Sequence, residues 1–192
     1  MKRLTILTLT LISLLFYQCQ PTQKEKQEEP KEKMEYAIVI HGGAGNTSPE
    51  NFPEEARKKY EEKLTEARDK GVEILENGGT AIETIEQVIN ILEDSPLFNS
   101  GKGAVFTHQG TNELDASIMN GADLNAGAVA GVKTIKNPIS AAIEVMNNSD
   151  HVMLAGDGAS RFAEEKGLEI VDNSYFRTED RWKALQRHLE RE

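Results

Sequence analysis

The segment His41-Gly42-Gly43-Ala44-Gly45 is the first place where residue types and spacing could do chemistry. It follows the apolar run 36–40, and glycines after a strand let the backbone present several N–H groups to an anion or an oxyanion. The segment lacks the glycine spacing of a dinucleotide-binding loop and the lysine and hydroxyl of a P-loop. A tight turn in which His41 is a structural hydrogen-bonding residue is therefore the alternative.

Residues 92–106 (LEDSPLFNSGKGAVF) form a second candidate. Here a helix C-terminus with unpaired carbonyl groups is predicted to enter a compact, partly apolar loop. Main-chain oxygens on a curved loop can surround a hard cation. The Asn99 amide can orient a water or a substrate group because it both donates and accepts hydrogen bonds. A well-packed connection between a helix and a strand is the alternative.

Two carboxylates, Glu113 and Asp115, form a third candidate. Because they are two residues apart on a predicted strand, they are expected on the same face, where a solvated surface or a salt bridge is the favoured interpretation. The sequence contains no Gly-x-Ser-x-Gly or His-Glu-x-x-His motif and no paired cysteine and histidine, and its four histidines lack metal-ligand spacing. These residues alone do not identify a reaction.

Helices and strands must position these segments. Pro53 and the apolar spacing after it predict a helix to about Glu76, and Thr80 with Glu83 forms a capping box for a second helix. Asn120-Gly121 predicts a hairpin turn, and the small residues of 124–132 predict a strand in close contact with another layer. Further strands are predicted at 36–40, 104–108, 112–119 and 151–155, and further helices at 137–146, 159–166 (after a glycine break at 156–158) and 178–192. This order predicts an α/β fold in which helices cover a mixed sheet.

Composition excludes several classes of protein. The chain has 192 residues, 22 basic and 32 acidic, and the net charge of −10 argues against nucleic acid as the main partner. A hydrophobic content of 38% is too high for a wholly disordered chain, and one cysteine allows neither an internal disulfide framework nor a cysteine-based zinc site. The length suits a single domain.

The N-terminus is typical of an export signal. Lys2 and Arg3 precede the uncharged run 4–17, which is shorter than the roughly 20 residues that span a bilayer, so residues 1–18 are predicted to be a signal peptide. Cys19 follows at once and resembles the lipidated cysteine of bacterial lipoproteins. This predicts a periplasmic or outer-membrane lipoprotein, with an ordinary secretory signal as the alternative. Residues 19–35 are almost entirely Gln, Lys, Glu and Pro, which predicts a flexible tether before a folded part at 36–192.

Several motifs in register resemble one family. IVIHGGAG (38–45), PLFNSGKGAVF (96–106), ELDA (113–116), GAVAGV (127–132) and Asn137-Pro138 occur in the order seen in plant-type L-asparaginase/isoaspartyl peptidases. These are N-terminal-nucleophile (Ntn) hydrolases, and the resemblance runs from about residue 36 to about residue 172. It implies the first half of a four-layer αββα sandwich. It also implies a precursor that cleaves itself before a threonine, whose free amine then activates its own hydroxyl.

The resemblance maps this chain onto the family's first, or α, subunit. Asn99 matches an asparagine beside the active site, and the glycine loop with His41, Gly42, Gly43 and Gly45 matches a segment that influences self-processing. A structural sodium ion is implied, with no cofactor for catalysis. The ion would be held by the main-chain carbonyls of Leu92, Glu93, Ser95, Phe98, Ser100 and Lys102.

The family pattern continues past a variable linker to a Gly-Thr pair and a second stretch that binds the substrate. This sequence ends at Glu192, ahead of that pair, so the resemblance implies a separate β-subunit that carries the threonine and an inactive chain when alone. It further implies an (αβ)2 assembly acting on asparagine or β-aspartyl peptides. The alternatives are a glycosylasparaginase, a more remote threonine aspartase, or a non-catalytic surface lipoprotein that serves as a binding module.

Overall fold

The computed structural model describes residues 36–45, 48, 50 and 52–192. The helices of this part are α1 (Glu54–Glu76), α2 (Ala81–Glu93), α3 (Pro138–Asn148), α4 (Gly156–Glu165) and α5 (Glu179–Leu189). The strands are β1 (Leu114–Met119), β2 (Ala126–Val132) and β3 (Met153–Ala155), and 3-10 turns occur at Gly101–Gly103 and Asn173–Phe176. The predicted signal peptide, tether and Cys19 lie outside the described residues. Within the described ranges, no helix has the length and apolar character needed to cross a bilayer.

α1 and α2 form a helical hairpin whose ends follow local sequence signals. Pro53 is the N-cap of α1, and the Thr80 hydroxyl accepts a hydrogen bond from the Glu83 N–H at 3.2 Å at the start of α2. The two helices approach closely at the buried Gly71, where a Cβ atom would lie 2.9 Å from a methyl group of Val88. The two predicted helices are confirmed, as is the Thr80 side-chain cap of the predicted capping box.

The sheet has the order β1-β2-β3, with β1 antiparallel to β2 and β3 parallel to β2. α3 packs on β1 and β2, while α4 packs on β2 and β3. A Cβ atom at Gly127 would lie 2.0 Å from the Ala142 carbonyl oxygen of α3, so only glycine allows this approach. The predicted contact between the small-residue strand and another layer is therefore confirmed.

The two faces of this sheet differ. One face is covered by α3 and α4 and contributes Leu114, Ile118, Val129 and Val132 to the buried core. The other, which we call the open face, consists of Ser117, Met119, Ala126, Ala128, Ala130, Met153 and Ala155. None of these side chains belongs to a core cluster, and Met119 and Met153 are 60% and 54% exposed. The predicted α/β fold with a mixed sheet is confirmed. Among the described residues, helices cover one face of this sheet, which is consistent with half of an αββα sandwich.

The predicted strand at 36–40 is wrong. The segment has no strand hydrogen bonds, and its residues alternate between half-buried and exposed, with Val39 at 93% exposure. Ile38 and Ile40 pack instead against the α1–α2 core. An apolar run forms a strand only where a neighbouring strand completes its ladder, and no described strand lies beside this one.

The predicted strand at 104–108 is reduced to a single bridge between Phe106 and Asn112. The Asn112 side-chain amide occupies the position of a strand partner, because it donates to the carbonyls of Ala104 and Val105 at 3.0 and 3.1 Å. The predicted partner strand is therefore shorter than 112–119, and as β1 it pairs with β2.

Two predictions about turns also need correction. Met119 pairs with Ala126, so the hairpin loop spans residues 120–125 and is longer than a two-residue Asn-Gly turn. The predicted glycine break at 156–158 is instead the first turn of α4, which begins directly at Gly156 with φ of +53°. A positive φ at this one glycine redirects the chain from strand to helix, and the helix then continues through Gly158.

Candidate active-site loop and cation cradle

The loop after α2 is folded back tightly on itself by two glycines. Gly101 has φ of +48°, and a Cβ atom there would lie 2.1 Å from the Glu93 carbonyl oxygen. A Cβ atom at Gly103 would lie 2.1 Å from the Phe98 carbonyl oxygen. Both glycines are buried. Only glycine at these two positions lets the main-chain oxygens of the loop come so close to the 3-10 turn.

The six carbonyls predicted to hold sodium differ in their hydrogen bonding. The Leu92 oxygen accepts from the Ser95 N–H at 3.2 Å, and the Ser100 oxygen accepts from the Gly103 N–H at 3.0 Å. Among the described residues, none donates a hydrogen bond to the other four carbonyls, those of Glu93, Ser95, Phe98 and Lys102. Carbonyl oxygens without a donor, next to glycines that leave room, fit a hard cation. We call the six carbonyls together the cation cradle.

Within the described ranges, side chains form no other candidate metal site. No group of three or more His, Cys, Asp or Glu residues there could hold a metal ion. The chemistry of the cradle is that of neutral main-chain oxygens.

The side chain of Asn99 is oriented by the main chain beyond the turn. Its Oδ1 atom accepts a hydrogen bond from the Val105 N–H at 2.9 Å. Because an N–H can only donate, this contact assigns the oxygen of the amide to Val105 and directs the nitrogen away from it. Asn99 is exposed, and its Nδ2 atom has no partner among the described residues. The residue therefore offers two N–H donors to a group that approaches from outside, such as a carbonyl or an oxyanion.

Phe98 anchors the loop next to Asn99. Its ring is buried and lies edge-to-face on Tyr60 at 5.4 Å, and the Tyr60 hydroxyl donates to the Leu97 carbonyl at 2.6 Å. Tyr60 lies on the side of α1 that packs against the core, and nothing in the spacing of residues indicates its hydrogen bond to the loop.

The Glu93 side chain is a buried polar group beside the cradle that no sequence pattern indicated. It is 3% exposed, and it accepts hydrogen bonds from the Ile139 N–H at 3.1 Å and from Asn137 Nδ2 at 3.2 Å. Burial raises the pKa of this carboxyl to about 8. α3 has no cap from its own side chains, so Glu93 satisfies a free N–H group of a helix 46 residues further along. The only signal in the sequence is an Asn-Pro helix start.

The glycine loop lies beside the candidate site at one point. A Cβ atom at Gly42 would lie 3.5 Å from the Phe98 ring, whereas Gly43 and Gly45 border open space. His41 Nδ1 accepts a hydrogen bond from the Gly43 N–H at 3.2 Å, and Gly43 has φ of +117°. The loop is exposed throughout, and this hydrogen bond of His41 is a local contact within the turn.

Glu113 and Asp115 form structural contacts on an exposed surface, which agrees with the favoured interpretation of a solvated face or a salt bridge. Glu113 forms a salt bridge with Lys133 at 3.1 Å, on the surface. Asp115 accepts a hydrogen bond from the Gly131 N–H at 2.8 Å, at an irregularity in the pairing of β1 with β2. Among the described residues, neither carboxylate contacts the loop that holds Asn99.

Comparisons with known proteins all indicate the same family. A family model described as "Asparaginase" matches residues 34–192. A "Probable isoaspartyl peptidase/L-asparaginase 2" of Arabidopsis thaliana is 48% identical over 145 residues, which is 76% of this chain and 44% of that protein. The "Isoaspartyl peptidase" of Escherichia coli K12 is 44% identical over 148 residues, 77% of this chain and 46% of that protein.

An archaeal relative agrees with these two. The "Plant-type L-asparaginase" of Pyrococcus furiosus is 42% identical over 153 residues, 80% of this chain and 48% of that protein. The chain thus spans somewhat less than half the length of the curated relatives it matches. The family match covers all described residues, including the glycine loop, the cradle and Asn99, and the chain therefore belongs to the asparaginase family.

Proposed function

We propose that this chain is the α portion of an isoaspartyl peptidase/L-asparaginase. The observation that carries the proposal is the family match over residues 34–192, and this range includes the loop with the outward-facing Asn99 amide. The relatives named above are called isoaspartyl peptidases, L-asparaginases or both. The substrates proposed here are accordingly asparagine and β-aspartyl peptides.

The proposed reaction is acyl transfer to a threonine on a second segment. The free amine of that N-terminal threonine takes the proton of its own hydroxyl, and the oxygen attacks the side-chain carbonyl carbon of the substrate. The carbon–nitrogen bond breaks, and ammonia or an amino acid leaves with the proton. Water then hydrolyses the aspartyl ester and restores the hydroxyl. In this scheme Asn99 donates a hydrogen bond near the reacting group.

We propose that the second segment, the β-subunit, packs on the open face of the sheet. Support comes from the composition of that face, where three alanines of β2 lie between Met119 and Met153. Small residues allow a second sheet to approach at the usual spacing of about 10 Å. The relatives extend over roughly twice the matched length, which leaves room for such a layer. An (αβ)2 assembly is part of the same proposal.

The cation cradle is proposed to hold a structural sodium ion. The four carbonyls without hydrogen-bond donors support this proposal, as do the two glycines that leave space beside them. An ion there would supply positive charge between the carbonyl dipoles and so hold the loop near Asn99 in shape. It has no step in the proposed reaction.

The proposed location is the periplasm or the outer membrane, with a lipid on Cys19. The support is the sequence pattern of residues 1–35 described above. If it is correct, Cys19→Ser moves the protein from the membrane fraction to the soluble fraction after cell lysis. A wild-type protein that is already soluble contradicts the lipid anchor.

The alternatives differ in substrate. A glycosylasparaginase would cleave glycosylated asparagine, and a binding module would cleave nothing. The names of the relatives favour neither alternative. The experiment pairs this chain with the second half of the E. coli isoaspartyl peptidase and assays a β-aspartyl dipeptide, asparagine and glycosylated asparagine. Turnover of either of the first two supports the proposal, and turnover of glycosylated asparagine alone contradicts it. No turnover by this pair, while the two E. coli halves together are active, favours the binding module.

A further inference from the structure

The C-terminal segment 172–192 contacts the loop that holds the candidate site at several points. It comprises the 3-10 turn Asn173–Phe176 and helix α5, and we call it the C-terminal latch. The motifs that resemble the asparaginase family end near residue 172, and the family match continues through this segment to residue 192. Its contacts begin at Asp94, whose carboxylate accepts a hydrogen bond from the Tyr175 hydroxyl at 3.3 Å, and they continue to Phe106 and beyond.

The first attachment runs through two asparagines. The Asn173 side chain accepts from the Asn112 N–H at 3.1 Å and donates to the Asn112 carbonyl at 2.9 Å, as a neighbouring strand would. This fixes Asn112, which is fully buried and whose own amide donates to the carbonyls of Ala104 and Val105. The latch therefore holds those two carbonyls through one intermediate residue.

The second attachment is direct. Arg181 Nε donates to the Gly103 carbonyl at 2.9 Å, in a part-buried position. Together with the Asn112 contacts, this means that the three consecutive carbonyls of Gly103, Ala104 and Val105 all accept from side-chain nitrogens. A charged donor in a part-buried site makes a stronger bond than a neutral one.

The third attachment is aromatic. The Trp182 ring packs edge-to-face on Phe106 at 5.2 Å, and the Arg177 guanidinium lies 4.1 Å from the centre of the Trp182 ring. The ammonium of Lys102, a cradle residue, lies 5.3 Å from the centre of the Tyr175 ring. The 3-10 turn itself, through Lys102, and the segment after it, through Phe106, therefore both contact the latch.

These contacts meet at the peptide that orients Asn99. The Val105 N–H donates to Asn99 Oδ1, and the peptide units just before and after it are the ones fixed by Arg181 and Asn112. We propose that the C-terminal latch is a positioning element for Asn99, with Arg181 as its principal positioning residue. The role for Asn99 in turnover rests on the function proposed above, whereas the hold on the loop does not.

Hydrogen exchange of the full chain tests the hold on the loop. Arg181→Met keeps the aliphatic stem but loses the donor, and Arg187→Met is the matched control, one helix turn or more away and without a partner among the described residues. The amides of Gly103, Ala104 and Val105 are expected to exchange about tenfold faster in Arg181→Met than in wild type and to be unchanged in Arg187→Met. Equal exchange in the two variants overturns the proposal.

Ile143→Ala separates this effect from a general loss of stability. Ile143 is buried under the sheet, away from the latch, so its truncation should raise exchange in the core without singling out residues 103–105. If Arg181→Met raises exchange in that same general pattern, the latch is merely structural and the proposal is wrong.

Turnover provides the second readout. In the enzyme completed with the second half of a relative, Arg181→Met is expected to lower kcat about tenfold while KM changes less than twofold. Faster exchange with unchanged kcat overturns the positioning of Asn99. If the wild-type pair shows no turnover, the proposed function fails on its own, and the exchange result still decides whether the latch holds the loop.

Discussion

The side-chain oxygen of Asn99 accepts a hydrogen bond from the Val105 N–H at 2.9 Å, across the 3-10 turn Gly101–Gly103. This contact fixes which end of the amide faces outward. It also joins Asn99, for which we propose a contact with the substrate, to the segment that follows the cation cradle. A displacement on either side of the turn should therefore reach Asn99.

Replacing Asn99 separates its two roles. Asn99→Asp keeps an oxygen for the Val105 N–H but loses the outward donor, whereas Asn99→Ala loses both. Both variants are expected to lower kcat/KM of the completed enzyme by about a hundredfold, because an oriented donor near a developing negative charge is lost. Only Asn99→Ala should accelerate exchange of the Val105 amide in the unpaired chain. An active Asn99→Asp enzyme would show that the outward donor is not used.

Adding a methyl group at Gly101 should disrupt the cradle. In Gly101→Ala the new Cβ would lie 2.1 Å from the Glu93 carbonyl oxygen at a positive φ, so we expect a loss of at least about 2 kcal/mol in the free energy of unfolding. Gly121→Ala is the control, since a Cβ there meets no atom within 4 Å. It should change stability by less than about 0.5 kcal/mol. The measurement is urea unfolding followed by circular dichroism, and equal midpoints for both variants would refute the packing described.

The buried carboxyl of Glu93 predicts a pH-dependent stability. Burial raises its pKa from an ordinary 4.5 to about 8, so between these values the folded chain binds a proton that the unfolded chain has lost. The free energy of unfolding should therefore fall as pH rises from about 5 to about 8, with a slope of at most about 1.4 kcal/mol per pH unit from this group.

Glu93→Gln should lack this component, because the amide is neutral while its oxygen can still accept from the Ile139 N–H. The stability of Glu93→Gln relative to wild type is expected to increase up to pH 8 and then level off. Glu165→Gln, at the exposed end of α4, serves as the control and should follow the wild-type profile. Parallel profiles for wild type and Glu93→Gln would rule out a raised pKa at Glu93.

The open face of the sheet should tolerate a charge only while it is uncovered. Ala128→Lys is expected to leave the fold of the unpaired chain intact, within about 1 kcal/mol, because a lysine there reaches solvent. It should weaken co-purification with a second segment at least tenfold, since an ammonium would have to be buried between two sheets. Gln87→Lys, on the exposed side of α2, should have no effect on association. Association of Ala128→Lys at the wild-type level would place the second segment elsewhere.

Local signals explain which parts of the fold could be predicted from the sequence. The bounds of α1 and α2 follow from Pro53, from the Thr80 cap and from a helical apolar spacing, all of which act within a few residues. The small residues of β2 likewise predicted a close approach, which Gly127 makes against α3.

The features that could not be predicted depend on distant partners. The run 36–40 has the composition of a strand, but no described strand lies beside it to complete a ladder. Glu93 caps a helix far along the chain, and Asn173 pairs with the backbone of Asn112 from a distance of 61 residues. No motif marks either contact, because an asparagine or a glutamate in a loop has many uses. Residue types alone made loop 92–106 and Asn99 candidates, and the family resemblance added the individual carbonyls of the cradle. The orientation of these groups is visible only in the structure.

The most direct test of the account measures ammonia release from asparagine by three samples. These are the chain alone, the chain with the second half of the E. coli isoaspartyl peptidase, and the same pair with the N-terminal threonine of that half changed to alanine. We predict turnover in the second sample only, because in the proposed function this chain supplies the scaffold, the cradle and Asn99 while the nucleophile comes from the other segment. Turnover by the chain alone, or by the pair without its threonine, would contradict it.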